Sequence, residues 1–148
     1  MKIPDIKGKN VLIIGCPASG KTFLSGLFKS SEHQVFHTDD YIKHGYYESM
    51  YRCLSDVLAC GNLTIVEGVQ GYRMLRKGIE LDNYYPDVVI EIKISEQRML
   101  KTYANERDMR KIKYLKGFNK MHDKILSDYK AMNNKNKPEW IVINNDYE

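Results

Sequence analysis

The run GCPASGKT, residues 15–22, frames four residues between Gly15 and Gly20 and then ends in a lysine and a hydroxyl. That spacing is the phosphate-binding pattern G-x-x-x-x-G-K-[ST]. Its chemistry is the holding of a triphosphate. The glycines let the backbone curl so that successive N–H groups converge on anionic oxygens. The N-terminus of a following helix adds its dipole. Lys21 would place a cation on the β- and γ-phosphates, and Thr22 would give a hydroxyl to Mg²⁺. Gly15, Pro17, Ala18, Ser19, Gly20, Lys21, Thr22 and Phe23 are therefore the expected ATP-binding residues.

Three further groups could use a held triphosphate. Thr38-Asp39-Asp40-Tyr41 supplies adjacent carboxylates, one of which could take or orient the proton of an attacking hydroxyl. Neighbouring side chains point in different directions. Asp39 is the expected catalytic carboxylate, with Asp40 capping the next helix or steadying the acceptor. Val66-Glu67-Gly68 places an acid after an apolar run. Glu67 could hold the water shell of Mg²⁺, contact the acceptor, or pair with Arg73 or Arg76. Finally, Arg107, Arg110, Lys111, Lys113 and Lys116 crowd one stretch. Phosphoryl transfer gains when arginines close over developing charge, so a lid over about 107–117 would bring down Arg107 as a catalytic group and Arg110 toward substrate. A solvated helix face is the plainer reading of the lysines.

The elements that must position these groups alternate. Val11–Ile14, Gln34–His37, Leu63–Val66, Asp87–Ile92 and Trp140–Ile143 read as short buried strands. Between the first four lie helical patterns: Lys21–Ser30, a stripe from Tyr47 to Leu58 stopped by Gly61-Asn62, and a short glycine-bounded segment from Gly71 to Gly78. Ser95 is suited to cap the helix after the fourth strand, and Leu115 to Tyr129 carries another stripe. Such alternation predicts an α/β chain with a mostly parallel sheet covered on both faces. Ligands of that architecture sit at the carboxyl ends of the strands. The phosphate loop, Asp39-Asp40 and Glu67 all follow strand ends.

Composition sets the outer limits. The chain has 148 residues, is 43% hydrophobic and carries a formal charge of +4. A single domain over 1–148 is expected, with a real core and no disordered tract. No apolar run approaches membrane length, and Met1–Asp5 lacks a leader's apolar stretch, so no membrane partner and a cytoplasmic location are expected. Three cysteines at irregular spacing do not make a disulfide framework. The four scattered histidines read as surface or packing residues.

With these residues in view, GCPASGKT, HTDDY and ANERDMR together resemble the P-loop kinases of the nucleoside, adenylate and polynucleotide kinase group, and most of all the kinase domain of phage-type polynucleotide kinases. VEGVQGYRMLRKG resembles small phage kinases that phosphorylate hydroxymethyluracil in DNA. The resemblance implies a three-layer sandwich around a five-stranded parallel sheet of order 2-3-1-4-5, with a short basic lid. It implies ATP and Mg²⁺ as cofactors, Asp39 as the catalytic carboxylate and Arg107 as the lid arginine. It implies transfer of the γ-phosphate to a nucleic-acid hydroxyl, either a 5′-hydroxyl or a hydroxymethyl-pyrimidine. One position departs: polynucleotide kinases carry an arginine after D-D-Y, and this chain carries Ile42.

Two other readings stand beside that one. The acceptor could be a free nucleoside, nucleotide or other small metabolite, or the chain could bind or hydrolyse a nucleotide without an acceptor. Arg73, Arg76 and Lys77, with the 107–116 stretch, could track a phosphate backbone. Tyr41, Tyr46, Tyr47 or Tyr72 could stack on a base.

Overall fold

The computed structural model describes residues 4–15, 21–28, 32–95 and 138–145, with isolated residues at 97, 101, 117, 120, 121, 123–125, 127 and 128. Five strands form one parallel sheet: β1 (Val11–Gly15), β2 (His33–His37), β3 (Leu63–Glu67), β4 (Val88–Lys93) and β5 (Glu139–Asn144). Their order is β2-β3-β1-β4-β5, the order expected. Among the described residues, the α-helices are α1 (Lys21–Leu27), α2 (Tyr46–Ala59) and α3 (Gly71–Glu80). No helix among the described residues is long and apolar enough to cross a membrane.

Side-chain alternation along the strands divides the core into two layers. Val11 and Ile13 of β1, Ile65 of β3 and Val88, Ile90 and Ile92 of β4 pack with Leu24 and Phe28 on the α1 face. Leu12, Ile14, Val66 and Val89 pack on the opposite face, against Met50, Cys53, Leu54 and Val57 of α2 and Tyr72, Met74 and Leu75 of α3. The three central strands are buried on both faces, which is why they read as unbroken apolar runs rather than alternating ones. α3 lies close on β1. A Cβ at Gly71 would come within 3.0 Å of the Ile14 and Leu12 side chains, so a larger residue there would lift the helix off the sheet.

The segment after β2 is a 3-10 helix, Thr38–His44, holding Asp39 and Asp40 in its first turn. Three local expectations need correction. Asp40 does not cap α2; Gly45 does, at φ +82° and with no side-chain bond. Leu58 is 45% exposed, and Cys53 takes the buried place in the α2 stripe. Tyr72 is a core residue rather than a free stacking platform. The expected lid at 107–117, with Arg107 and Arg110, lies outside the described residues apart from Gly117, as do Pro17, Ala18, Ser19 and Gly20 of the loop.

Candidate active site

The carboxyl ends of β1, β2 and β3 meet at one edge. Register does this work: His37 stands opposite Glu67 across β2 and β3, and Ile13 opposite Glu67 across β1 and β3. Glu67 has the parity of Ile65, so its side chain emerges on the α1 face. Lys21 and Thr22, the last residues of the phosphate-loop motif, open α1 on that same face.

Glu67 is 3% exposed. A buried carboxylate is costly unless its oxygens are bonded. The Thr22 hydroxyl donates to Glu67 Oε1 at 3.2 Å, and His37 Nδ1 lies 2.5 Å from the same oxygen. Lys21 is buried too, at 6% exposed. Ser25 Oγ donates to the Thr22 carbonyl at 2.8 Å, which ties the first turn of α1 together. Glu67 is thus engaged with Thr22 and His37, while Arg76 pairs with Glu80 at 3.6 Å.

His37 is the residue that reading the sequence missed. By spacing alone it is one of four scattered histidines that read as surface or packing residues. What makes it a site residue is the parallel pairing of β2 with β3, a long-range fact that no local spacing carries. The weak signal available was its place as the last residue of a strand, directly before Thr38-Asp39-Asp40.

Asp39 and Asp40 are both exposed at this edge. Asp40 lines a cavity of about 460 Å³ on the β2–α2 flank, with His37, Tyr41, Asp56 and Cys60, whereas Asp39 does not. Tyr41 Oη donates to Asp56 at 2.5 Å. Burial and that carboxylate push its phenol far above the ordinary tyrosine value. Gly68 brings the two acidic segments together. It sits at φ +143°, and a Cβ there would fall 1.7 Å from Thr38 Oγ1. The backbone after Glu67 therefore rests directly on the residue before Asp39. Thr38 Oγ1 and Gln70 Oε1 are buried here without a hydrogen-bond partner among the described residues.

Among the described residues no group of three or more His, Cys, Asp and Glu could hold a metal by itself. Mg²⁺ does not ask for one: it is commonly held by one or two protein oxygens together with substrate phosphates and water. A hydroxyl and a carboxylate already bonded to each other, Thr22 and Glu67, fit that demand. Arg73 stacks over the Tyr72 ring at 5.8 Å, and Tyr72 is buried. The side chains of Phe23, Tyr46 and Tyr47 lie outside the described set.

No protein-family profile and no curated protein matches this chain. Among solved structures, shikimate kinase from Acinetobacter baumannii in complex with shikimate superposes with a TM-score of 0.62. The alignment covers 97% of this chain and 87% of that one at 13% identity. A likeness at that identity concerns the fold. This chain has the α/β fold of that kinase, with the five-stranded parallel sheet described above.

Proposed function

We propose that this chain is an ATP-dependent phosphotransferase that moves the γ-phosphate of ATP to a hydroxyl of a small molecule. The observation that carries the reading is the Thr22–Glu67–His37 cluster, built from three separate elements beside the G-x-x-x-x-G-K-[ST] motif and next to Asp39-Asp40. The shared fold with a kinase solved with shikimate, a small hydroxylated acid, supports the same class.

In this reading Lys21 neutralises the β- and γ-phosphates, and the loop backbone cradles them. Thr22 and Glu67 would hold Mg²⁺, directly and through water, and the ion supplies charge neutralisation on the phosphates. His37 keeps Glu67 oriented toward Thr22. The acceptor oxygen bonds to the γ-phosphorus as the bond to the β–γ bridging oxygen breaks. ADP leaves with the electron pair, and the hydroxyl proton passes to Asp39. Arg107 and Arg110 are proposed to close over the transferring group, with Asp40 and Arg73 on the acceptor side.

The nucleic-acid acceptor suggested by the D-D-Y element is the second reading. Arg73, Arg76 and Lys77 on α3 favour it. Against it, Glu80 engages both Arg76 and Lys77, at 3.6 and 3.2 Å, which reduces the field left for a phosphate backbone. One assay separates the readings: γ-labelled ATP offered with small hydroxyl compounds, nucleosides, 5′-hydroxyl oligonucleotides and hydroxymethylated DNA. Label on a small molecule is expected, and Asp39→Asn should lower it about 10²–10⁴-fold while nucleotide binding persists. Label on DNA alone would establish the second reading. Release to water alone, whatever the acceptor, would overturn both.

A further inference from the structure

The α2–α3 flank carries a groove of about 380 Å³, and of its lining the chemistry above names only Arg73. Its floor is apolar: Met50 of α2, Tyr72 of α3 and Ile125 all belong to the buried core. Its rim is cationic. Arg73, Arg76, Lys77 and Lys124 stand against Glu80, the one acid among the described lining residues. Two of the cations are braced on aromatic rings, Arg73 over Tyr72 at 5.8 Å and Lys77 over Tyr51 at 5.6 Å. Tyr72 and Arg73 lie in the first turn of α3, just beyond Glu67 and Gly68. The Tyr72–Arg73 end of the groove is therefore the end nearer the carboxyl edge of β3, on the sheet face opposite α1, and the groove runs down α3 toward Glu80.

We propose that this groove binds the acceptor, and that the acceptor is a small anion: a carboxylate or phosphate monoester on an apolar ring or chain, with the reacting hydroxyl at its other end. The inference rests on the kinase reading and adds the substrate class to it. The size suits one small molecule, since ligand pockets of this order enclose compounds rather than polymers. The floor suits an apolar body, because Met121 beside it is 40% exposed and has apolar surface that a ligand would cover. The rim suits an anion, and arginine forks match carboxylate and phosphate oxygens in pairs. A polynucleotide would ask instead for an open track of cations without an acid among them.

The test is binding to the full chain without ATP, by calorimetry, using two anions and their neutral counterparts: shikimate and methyl shikimate, thymidine 5′-monophosphate and thymidine. The two pairs separate a carboxylate from a phosphate source. At least one anion should bind about tenfold more tightly than its neutral counterpart. The double change Arg76→Gln/Lys124→Gln, on two cationic rim residues, should erase that preference. Glu80→Gln removes the competing acid and should raise it several-fold, a direction that a merely structural role would not produce. Equal binding of anion and neutral compound, binding of neither anion, or a preference untouched by Arg76→Gln/Lys124→Gln would overturn the proposal. So would an oligonucleotide that binds more tightly than both anions and is lost in the same double variant. The kinase reading fails separately. If an anion binds through these charges but never receives label from ATP, the groove stands and phosphotransfer falls. If label passes to a neutral acceptor with a KM unaffected by the double variant, phosphotransfer stands and the groove falls.

Discussion

At the scale of single residues, Glu67 Oε1 joins two elements to β3, through Thr22 of α1 and His37 of β2. Changing Glu67 to Gln keeps the shape, removes the charge and turns part of the acceptor into a donor. Under the proposed function, transfer should fall about 10²–10³-fold, the cost of losing one charged stabiliser. The Mg²⁺ concentration for half-maximal nucleotide binding should rise as well. His37→Gln should move the Mg²⁺ midpoint in the same direction but less, because Thr22 still holds the carboxylate. Calorimetric titration of each variant with ATP over a range of Mg²⁺ checks both. An unshifted midpoint in Glu67→Gln would remove that residue from the ion's surroundings.

At the scale of elements, the joint between β3 and the 3-10 helix sets the distance from Glu67 to Asp39. Gly68 makes the joint possible, because a side chain at φ +143° is strained and its Cβ would overlap Thr38 Oγ1. Gly68→Ala should destabilise the protein by about 2–4 kcal/mol, from backbone strain and overpacking together. Adding Thr38→Ala removes the overlapping oxygen, which has no hydrogen-bond partner among the described residues to lose. The double variant should recover part of the loss, with the strain at Gly68 and the 2.8 Å approach to the Cβ of residue 38 remaining. Urea unfolding of the two single variants and the double variant measures the coupling. Strict additivity would show that the two elements do not press on each other.

At the scale of the whole molecule, the sheet and α2 seal Cys53 completely. Burial, then the charges of Asp56 and Asp40, push its thiol up to about 12. In the folded chain at pH 8 the thiolate is a minute fraction, so iodoacetamide should modify half-buried Cys60 long before Cys53. Peptide mapping by mass spectrometry reads this directly; equal rates for the two would mean that the α2 layer does not close. The same shift has a pH signature. Unfolded, the thiol ionises near 9; folded, it keeps its proton to about 12. Its stabilising share is complete below pH 9 and is lost progressively as pH rises from there. Tyr41, also shifted upward, acts in the same direction. The urea midpoint should therefore decline between pH 9 and 11.

Much of this protein is legible in its sequence. Apolar runs of strand length between helical patterns dictated a parallel sheet with two covered faces, because only burial on both sides selects unbroken apolar strands. The loop motif marked which end of β1 would carry chemistry, since its glycines and lysine have a local, spacing-dependent purpose. The acids Asp39, Asp40 and Glu67 could be placed at strand ends by counting alone. Partners could not. Whether Glu67 met Arg73, Arg76 or something else depended on which strand lay beside β3 and in what register. Tertiary packing placed β2 there and set His37 opposite Glu67. It also buried Tyr72 in the α3 layer and put the cations of α3 along the rim of a groove. Local propensity acts over a few residues, whereas pairing and burial are settled by the whole sheet at once, and the contacts of a site belong to the second kind.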